Sequence, residues 1–285
     1  MKKLENNLKN FIKKQQGNWS IAAKNFNTEQ TFYYQHNNIV ITASIIKIAI
    51  AAAIFEKIDR KILSPKKQIK LINKDKITGT GILKLFKNNP TFSLVDTINL
   101  MIILSDNTAT NMCLRIIKQK EVNNFLKKMN FRYTRLDEKY FSQDLINDII
   151  FEKKKHSIGH TTAEEIILFL EKLFNYSLLK KESCEAILNM MRNQQVDYRF
   201  SRFLPTANNL SDNIEISDFG SKTGEIIYPP MLGNVGFIRN KNKETIGIAV
   251  FVEDIPISKY FHFHINHPVN EAVSKTVKYI YDLLK

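Results

Sequence analysis

Five segments of this chain read as strands, the last three of them with a period of two, and a long helical tract splits them into two groups. Asn18–Lys24 and Gln30–Tyr34 lie near the N-terminus, joined by a turn at Asn25–Glu29. Ile214–Thr223, Val235–Asn240 and Ile246–Val252 lie near the C-terminus. A lone two-stranded hairpin is marginal in water, so the first pair needs partners, and the C-terminal segments supply them. The expected fold is therefore α/β plus all-α, with one five-stranded antiparallel sheet. Residues between Ser44 and about 200 carry apolar positions at helical spacing, as in Ile50/Ile54/Ile58, Val122/Leu126/Met129 and Ile166/Phe169/Leu173. Thr162 with Glu165 reads as a capping box for the last of these. Two terminal helices complete the pattern. One carries Leu4, Leu8, Phe11 and Ile12 on one face and stops before Gly17, and the other runs from Pro268 to Leu284. The terminal helices are expected to flank the sheet. The division expected is a sheet domain of residues 1–42 and 200–285, with residues 43–199 as an inserted helical domain.

Composition narrows the function classes. With 285 residues, 44% hydrophobic and 25% charged, the chain is an ordinary globular protein with a substantial core. Its best apolar run, Ile48–Phe55, is far short of the roughly 20 residues a membrane span needs. The net charge of +14 comes mostly from lysines spread over the whole chain, not from a cluster of arginines. Lysine lacks the planar fork that reads base edges, so no nucleic-acid partner is expected. Cys113 and Cys184 sit at apolar helical positions and read as buried free thiols. Glu5, Asn6, Asn7 and Lys9 interrupt any apolar run after Met1-Lys2-Lys3. The sequence as written therefore points to the cytoplasm, or to the periplasm or outside the cell if a leader has been removed.

Three short motifs carry chemistry. Ser44-Ile45-Ile46-Lys47 opens an apolar helix, so the hydroxyl and the amine stand one turn apart on one face. Such an amine can take the hydroxyl proton if burial or a nearby cation lowers its pKa. Ser64-x-x-Lys67 and Ser177-x-x-Lys180 share the spacing, but the first lies in a proline-containing loop and the second precedes a lysine-rich turn. Ser105-Asp106-Asn107 follows the apolar helix Ile98–Leu104, and its duplicate Ser211-Asp212-Asn213 lies close before the third motif. That motif, Lys222-Thr223-Gly224, occurs once, at the end of an expected strand. Ser44 and Ser105 are about sixty residues apart, and Lys222 follows after about twice that interval.

In order, spacing and placement these motifs resemble the S-x-x-K, S-D-N and K-T-G set of class A β-lactamases and related penicillin-binding proteins. Neighbouring residues agree. Leu104–Asn111 is similar to the family's S-D-N-T-A-x-N, Thr134-Arg135-Leu136-Asp137 to the T-R-L-D entering its Ω-loop, and Thr161-Thr162-Ala163 to the threonines opening the next helix. The resemblance spans nearly the whole chain and implies the same fold. It also implies roles. Ser44 would be the acylated nucleophile and Lys47 its proton acceptor. Ser105, beside Lys222, would pass a proton to the leaving nitrogen. Asn107 would hold the substrate's side-chain amide. Lys222, Thr223 and Gly224 would line the substrate, with Lys222 and Thr223 on its carboxylate. The backbone N–H groups of Ser44 and Glu225 would form the oxyanion hole.

Two departures from the family stand out. A Glu in the family's Ω-loop activates the water that releases the acyl group. Counting straight on from Asp137 puts Tyr140 there, whereas allowing for a loop some seven residues longer puts Gln143 there and Asn147 at the following Asn. Asp144 is then the nearest carboxylate and the candidate deacylation base, with Glu138 and Glu152 as further candidates. On the strand after Lys222-Thr223-Gly224, several lactamases carry a carboxylate-anchoring Arg just before a Gly, whereas here Val235 precedes Gly236. His262, His264 and His267 have metal-like spacing but read as polar residues at a strand-to-helix junction. The resemblance thus implies a metal- and cofactor-free serine hydrolase, monomeric, acting on a β-lactam or a peptidoglycan-like small molecule with slow deacylation. The alternatives are a penicillin-binding, D-Ala-D-Ala-peptidase-like protein with little lactamase turnover, and a non-catalytic module that retains the fold.

Overall fold

Helix α1 (Lys2–Lys13) buries Leu8 and Ile12 and leads into β1 (Asn18–Asn25), β2 (Thr31–Tyr34) and the two-residue β3 (Val40–Ile41). A 3₁₀ turn at Ala43–Ile46 continues into α2 (Lys47–Asp59). Next come the short pair β4 (Gln68–Lys70) and β5 (Thr91–Ser93), then helices α3 (Leu94–Ile103), α4 (Asn107–Ile117) and α5 (Gln119–Lys128). The chain goes on through β6 (Arg135–Leu136), β7 (Gly159–Thr161), α6 (Ala163–Phe174) and α7 (Lys181–Arg192). It ends in β8 (Ile216–Ile226), β9 (Met231–Asn240), β10 (Thr245–Glu253) and α8 (Pro268–Leu284). The structure, a computed structural model, describes residues 2–142, 157–196, 198–206, 215–227, 230–256 and 267–285.

The main sheet has the order β2-β1-β10-β9-β8, antiparallel throughout, so the N-terminal pair does complete the C-terminal meander. Alternation along the strands divides the core. On β1 and β10, Ile21, Ala23, Ile246, Ile248, Val250 and Val252 pack with Leu8 and Ile12 of α1 and with Val273, Val277 and Ile280 of α8. Ala22, Ala249 and Phe251 face the other way and join the core built on α2 through α7. Both faces are covered, so a one-residue slip of β10 would exchange Phe251 with its smaller neighbours on the wrong side. Helix α2 is buried from Lys47 to Phe55, which explains an apolar run with little polar face.

Four local expectations need correction. The tract from Ser44 to about 200 is not all helix, because β4 pairs with β5, and β6 and β7 form a small sheet with β3. Strands of two or three residues are too short to show a period. Lys222-Thr223-Gly224 lies inside β8, which continues to Ile226. Ser44 sits in the 3₁₀ turn ahead of α2, not in the helix's first turn. Only half of the capping box forms. The Thr162 hydroxyl accepts from Glu165 N (3.1 Å), but the Glu165 carboxylate turns away to accept from the backbone N–H groups of Arg132, Tyr133 and Thr134. Three unpaired donors in that loop outcompete the single N-cap N–H. Cys113 and Cys184 are free and buried, as expected. No helix among the described residues is long and apolar enough to cross a membrane.

Candidate active site

The turn carrying Ser44 is wedged between α2 and the sheet. Ala43 has φ 45°, a left-handed conformation that costs a side-chain-bearing residue energy, and Ser105 has the same feature at φ 54°. Ser44 itself is half-buried. Gly224 presses directly on its turn: a Cβ there would lie 2.8 Å from the Thr42 carbonyl oxygen and 3.1 Å from the Ala43 Cβ. Glycine therefore lets Lys222-Thr223-Gly224 lie flat against the Ser44 turn.

The hydroxyl of Ser105 lies between two buried amines. Lys47 Nζ is 3.2 Å from Ser105 Oγ, and Lys222 Nζ approaches the same oxygen at 3.0 Å. Lys47 also donates to Ser105 O (2.7 Å) and Asn107 Oδ1 (2.8 Å). Both lysine side chains are fully buried. Burial pushes the Lys47 amine well below its ordinary range, with the charge of Lys222 acting the same way and Asp106 opposing. Burial also lowers Lys222, to about 7, against the pull of Glu225 and with help from Arg199. A neutral Lys47 has two N–H bonds for the two carbonyl oxygens, which leaves its lone pair free to accept a proton.

A second loop clamps the Ser105 turn, and no spacing rule pointed to it. Asp106 caps α4 by accepting from Ala109 N (2.9 Å), while its other oxygen accepts from Ile82 N (2.7 Å) and Leu83 N (2.9 Å). The Thr80 hydroxyl donates to Ser105 O (2.7 Å), and Asn107 N donates to Thr80 O (3.1 Å). Gly81, at φ 98°, passes so close to Asp106 that a Cβ would fall 2.2 Å from its carboxyl carbon. Asn107 holds Lys47 through its oxygen, and its amide donates to Thr78 O at 3.3 Å.

At the Lys222 end, Val235 is the register partner of Lys222 and is buried, so no guanidinium comes from that strand position. One comes from elsewhere. Arg199, with no exposed surface, donates through Nε to Asn270 Oδ1 (2.8 Å) and through Nη2 to Tyr198 Oη (2.7 Å). It also pairs with the Glu225 carboxylate. Gln194, oriented so that its NH₂ meets the carbonyls of Ile102 (2.7 Å) and Ile103 (2.8 Å), accepts from the Thr223 hydroxyl at 3.1 Å. Arg199 lay unmarked in the sequence. Its only local signal was an arginine between Tyr198 and Phe200 in a lysine-rich chain.

The Ω-loop candidates divide. Tyr140 donates to Lys74 O (2.5 Å) and Asp75 Oδ1 (2.9 Å), and burial followed by that hydrogen bond raises its phenol pKa above the usual value. Glu138 is half-buried. Phe141 is buried, is held by Asn111 Oδ1 accepting from its N–H (2.8 Å), and places its ring centroid 5.8 Å from Lys47 Nζ. Gln143, Asp144, Asn147 and Glu152 lie outside the described residues. Among the rival serines, Ser64 and Ser177 are exposed, while Ser211 lies outside the described residues. His267 accepts from Val269 N at the start of α8 (3.3 Å), and His262 and His264 lie outside the described residues. Among the described residues no group of three or more His, Cys, Asp or Glu could hold a metal ion.

Comparison with known proteins shows the family and the fold. The sequence profile of the β-lactamase enzyme family matches residues 3–284. No curated protein matches the chain. Among solved structures, a β-lactamase from Sphaerobacter thermophilus is 24% identical, covers 93% of this chain and 90% of its own, and superposes with a TM-score of 0.77. PBP-A is 18% identical, with coverage of 99% and 96% and a TM-score of 0.81. The extended-spectrum β-lactamase TLA-3 is 19% identical, with coverage of 100% and 99% and a TM-score of 0.82. At these identities the structural likeness speaks for the fold alone.

Proposed function

The chain belongs to the β-lactamase enzyme family, and on that premise we propose that it is a serine acyl-transfer hydrolase working through an acyl-Ser44 intermediate. The observation that carries this reading is the Ser105 hydroxyl held at 3.2 and 3.0 Å from two buried amines, Lys47 and Lys222. Neutral Lys47 takes the Ser44 proton as Ser44 Oγ forms a bond to the amide carbonyl carbon. The oxyanion sits on the N–H groups of Ser44 and Glu225. As the C–N bond breaks, the proton passes from Lys47 through Ser105 to the departing nitrogen, so charge and protons balance and no cofactor enters. Lys222 and Thr223 line the reacting end of the substrate, and Asn107 meets its side-chain amide. The substrate is a small β-lactam or a peptidoglycan-like amide.

One observation favours slow release of the acyl group. Tyr140, at the base position by direct count, is a phenol committed as a donor to Lys74 O and Asp75, with its pKa raised. It cannot activate water near neutral pH. A Leu-to-Glu variant of PBP-A has been captured as an acyl-enzyme with penicillin G, and the present chain is proposed to form a comparable adduct. Asp144 is the proposed substitute base. Incubation with a fluorescent penicillin, followed over time by intact mass, tests the reading. A single acyl adduct on Ser44 is expected, and its absence with every acyl donor would remove the proposal.

A further inference from the structure

Glu225 follows Lys222-Thr223-Gly224 directly on β8. Its backbone N–H is the proposed oxyanion donor. Its side chain is a separate matter. The carboxylate is partly exposed and pairs with Arg199, whose own side chain is fully buried. A buried guanidinium needs a counter-ion. Asn270 and Tyr198 give Arg199 only neutral partners, and its Nη1 has no partner among the described residues. Glu225 therefore supplies the compensating charge. Its field also reaches Lys222, as does that of Arg199 with the opposite sign. The Lys222 end of the proposed site, where two cations would attract an anion, thus already carries an anion belonging to the chain.

We infer that Glu225 is a specificity-determining residue whose carboxylate, paired with Arg199 directly after Lys222-Thr223-Gly224, turns the enzyme away from anionic acyl donors. The inference rests on the acyl-Ser44 reading and deepens it by naming the substrate class. The preferred donor carries a neutral or cationic group at the Lys222 end. An anionic donor must either displace Glu225 from Arg199, leaving a carboxylate without its partner, or sit beside it as a like charge. Either route penalises the anion and spares a neutral donor of the same shape.

A penicillin and its methyl ester form the matched pair of probes, differing only in charge at that end. The rate of Ser44 acylation by each is read by intact mass in the full chain and in Glu225→Gln and Glu225→Asp. Glu225→Gln is expected to raise the acid-to-ester rate ratio by on the order of tenfold, a scale set by two partly solvated charges a few ångströms apart. Glu225→Asp keeps the charge and is expected to hold the ratio nearer that of the parent chain. Unfolding curves of both variants show whether the fold is retained, and Glu225→Ala offers a second neutral variant if Glu225→Gln does not fold. Acylation of Ser44 with an unchanged or lowered ratio in the neutral variant overturns the role of Glu225 and leaves the acyl-enzyme reading standing. No acylation by either probe in any variant overturns the acyl-enzyme reading itself, and the inference with it.

Discussion

Lys222 Nζ lies 3.0 Å from Ser105 Oγ across 117 residues of chain, joining the main sheet to the loop between α3 and α4. Lys47 reaches the same hydroxyl from α2. Two amines without solvent around one oxygen cannot both hold a proton cheaply, and the one left uncharged is the proposed base.

The nucleophile is the first test. A β-lactam or a boronate should label the peptide containing Ser44, and Ser44→Ala should abolish labelling. Ser64 and Ser177 are exposed, so modification of either, with Ser44 untouched, would refute the assignment.

Removing the base should separate chemistry from folding. Lys47→Ala is expected to slow acylation by at least ~10²-fold, the usual scale for a lost general base, while the variant still unfolds cooperatively. Lys222→Ala should slow acylation by donors bearing a carboxylate more than by donors without one. Equal losses for both donor types would argue against a carboxylate role for Lys222.

The depressed lysine pKa values also set how stability depends on pH. Lys222 titrates at about 7 in the folded chain against 10.5 as an ordinary lysine. Between those values the unfolded chain binds the extra proton, so this group destabilises the fold fully below about 7 and progressively less as pH rises towards 10.5. Lys222→Met removes the titration. Its stability relative to the parent chain should therefore be greatest near pH 6 and decline on the way to pH 10. Chemical denaturation across that range checks the sign, and a gap that widens with pH would contradict it.

Much of this was legible in the sequence, for definite reasons. The main-sheet strands feed two cores from alternate residues and α8 repeats its apolar positions at helical spacing, so the sheet could be assembled from the sequence pattern. Ser44, Lys47, Ser105 and Lys222 were marked by motif order. Thr80, Gly81, Gln194 and Arg199 were not, because each acts on a residue distant in sequence and lies in a loop or turn with no period. Glu165 shows a subtler limit. Its spacing from Thr162 fits a capping box, yet the loop at 132–134 offers it more donors.

The clamp behind the Ser105 turn should prove structural as well as positional. Asp106 is buried and accepts from three backbone N–H groups. Asp106→Ala leaves those donors without partners and removes the cap of α4, at an expected cost of about 2–4 kcal/mol. Acylation should also fall, because Ser105 loses the register that Thr80 and Asp106 impose. Urea denaturation gives the first quantity. A loss below about 0.5 kcal/mol, the level of an ordinary surface change, would mean that the loop at 76–83 is not held by this carboxylate.

The Ω-loop is where this sequence is least like that of a lactamase. Hydrolysis of an acyl-serine ester needs a water activated from the correct face. Gln143 cannot accept a proton, and the phenol of Tyr140 is held as a donor with a raised pKa. Asp144 could serve, but its side chain is one carbon shorter than Glu, and a base about an ångström out of place can cost on the order of 10²-fold. Acylation should therefore outrun deacylation, and a penicilloyl adduct should accumulate on Ser44. Asp144→Asn should prolong that adduct if Asp144 is the substitute base, and should change little if Lys47 or bulk water does the work. Rapid steady-state turnover of a penicillin with no detectable adduct would show that a competent base is in place and that the alignment of this loop is wrong.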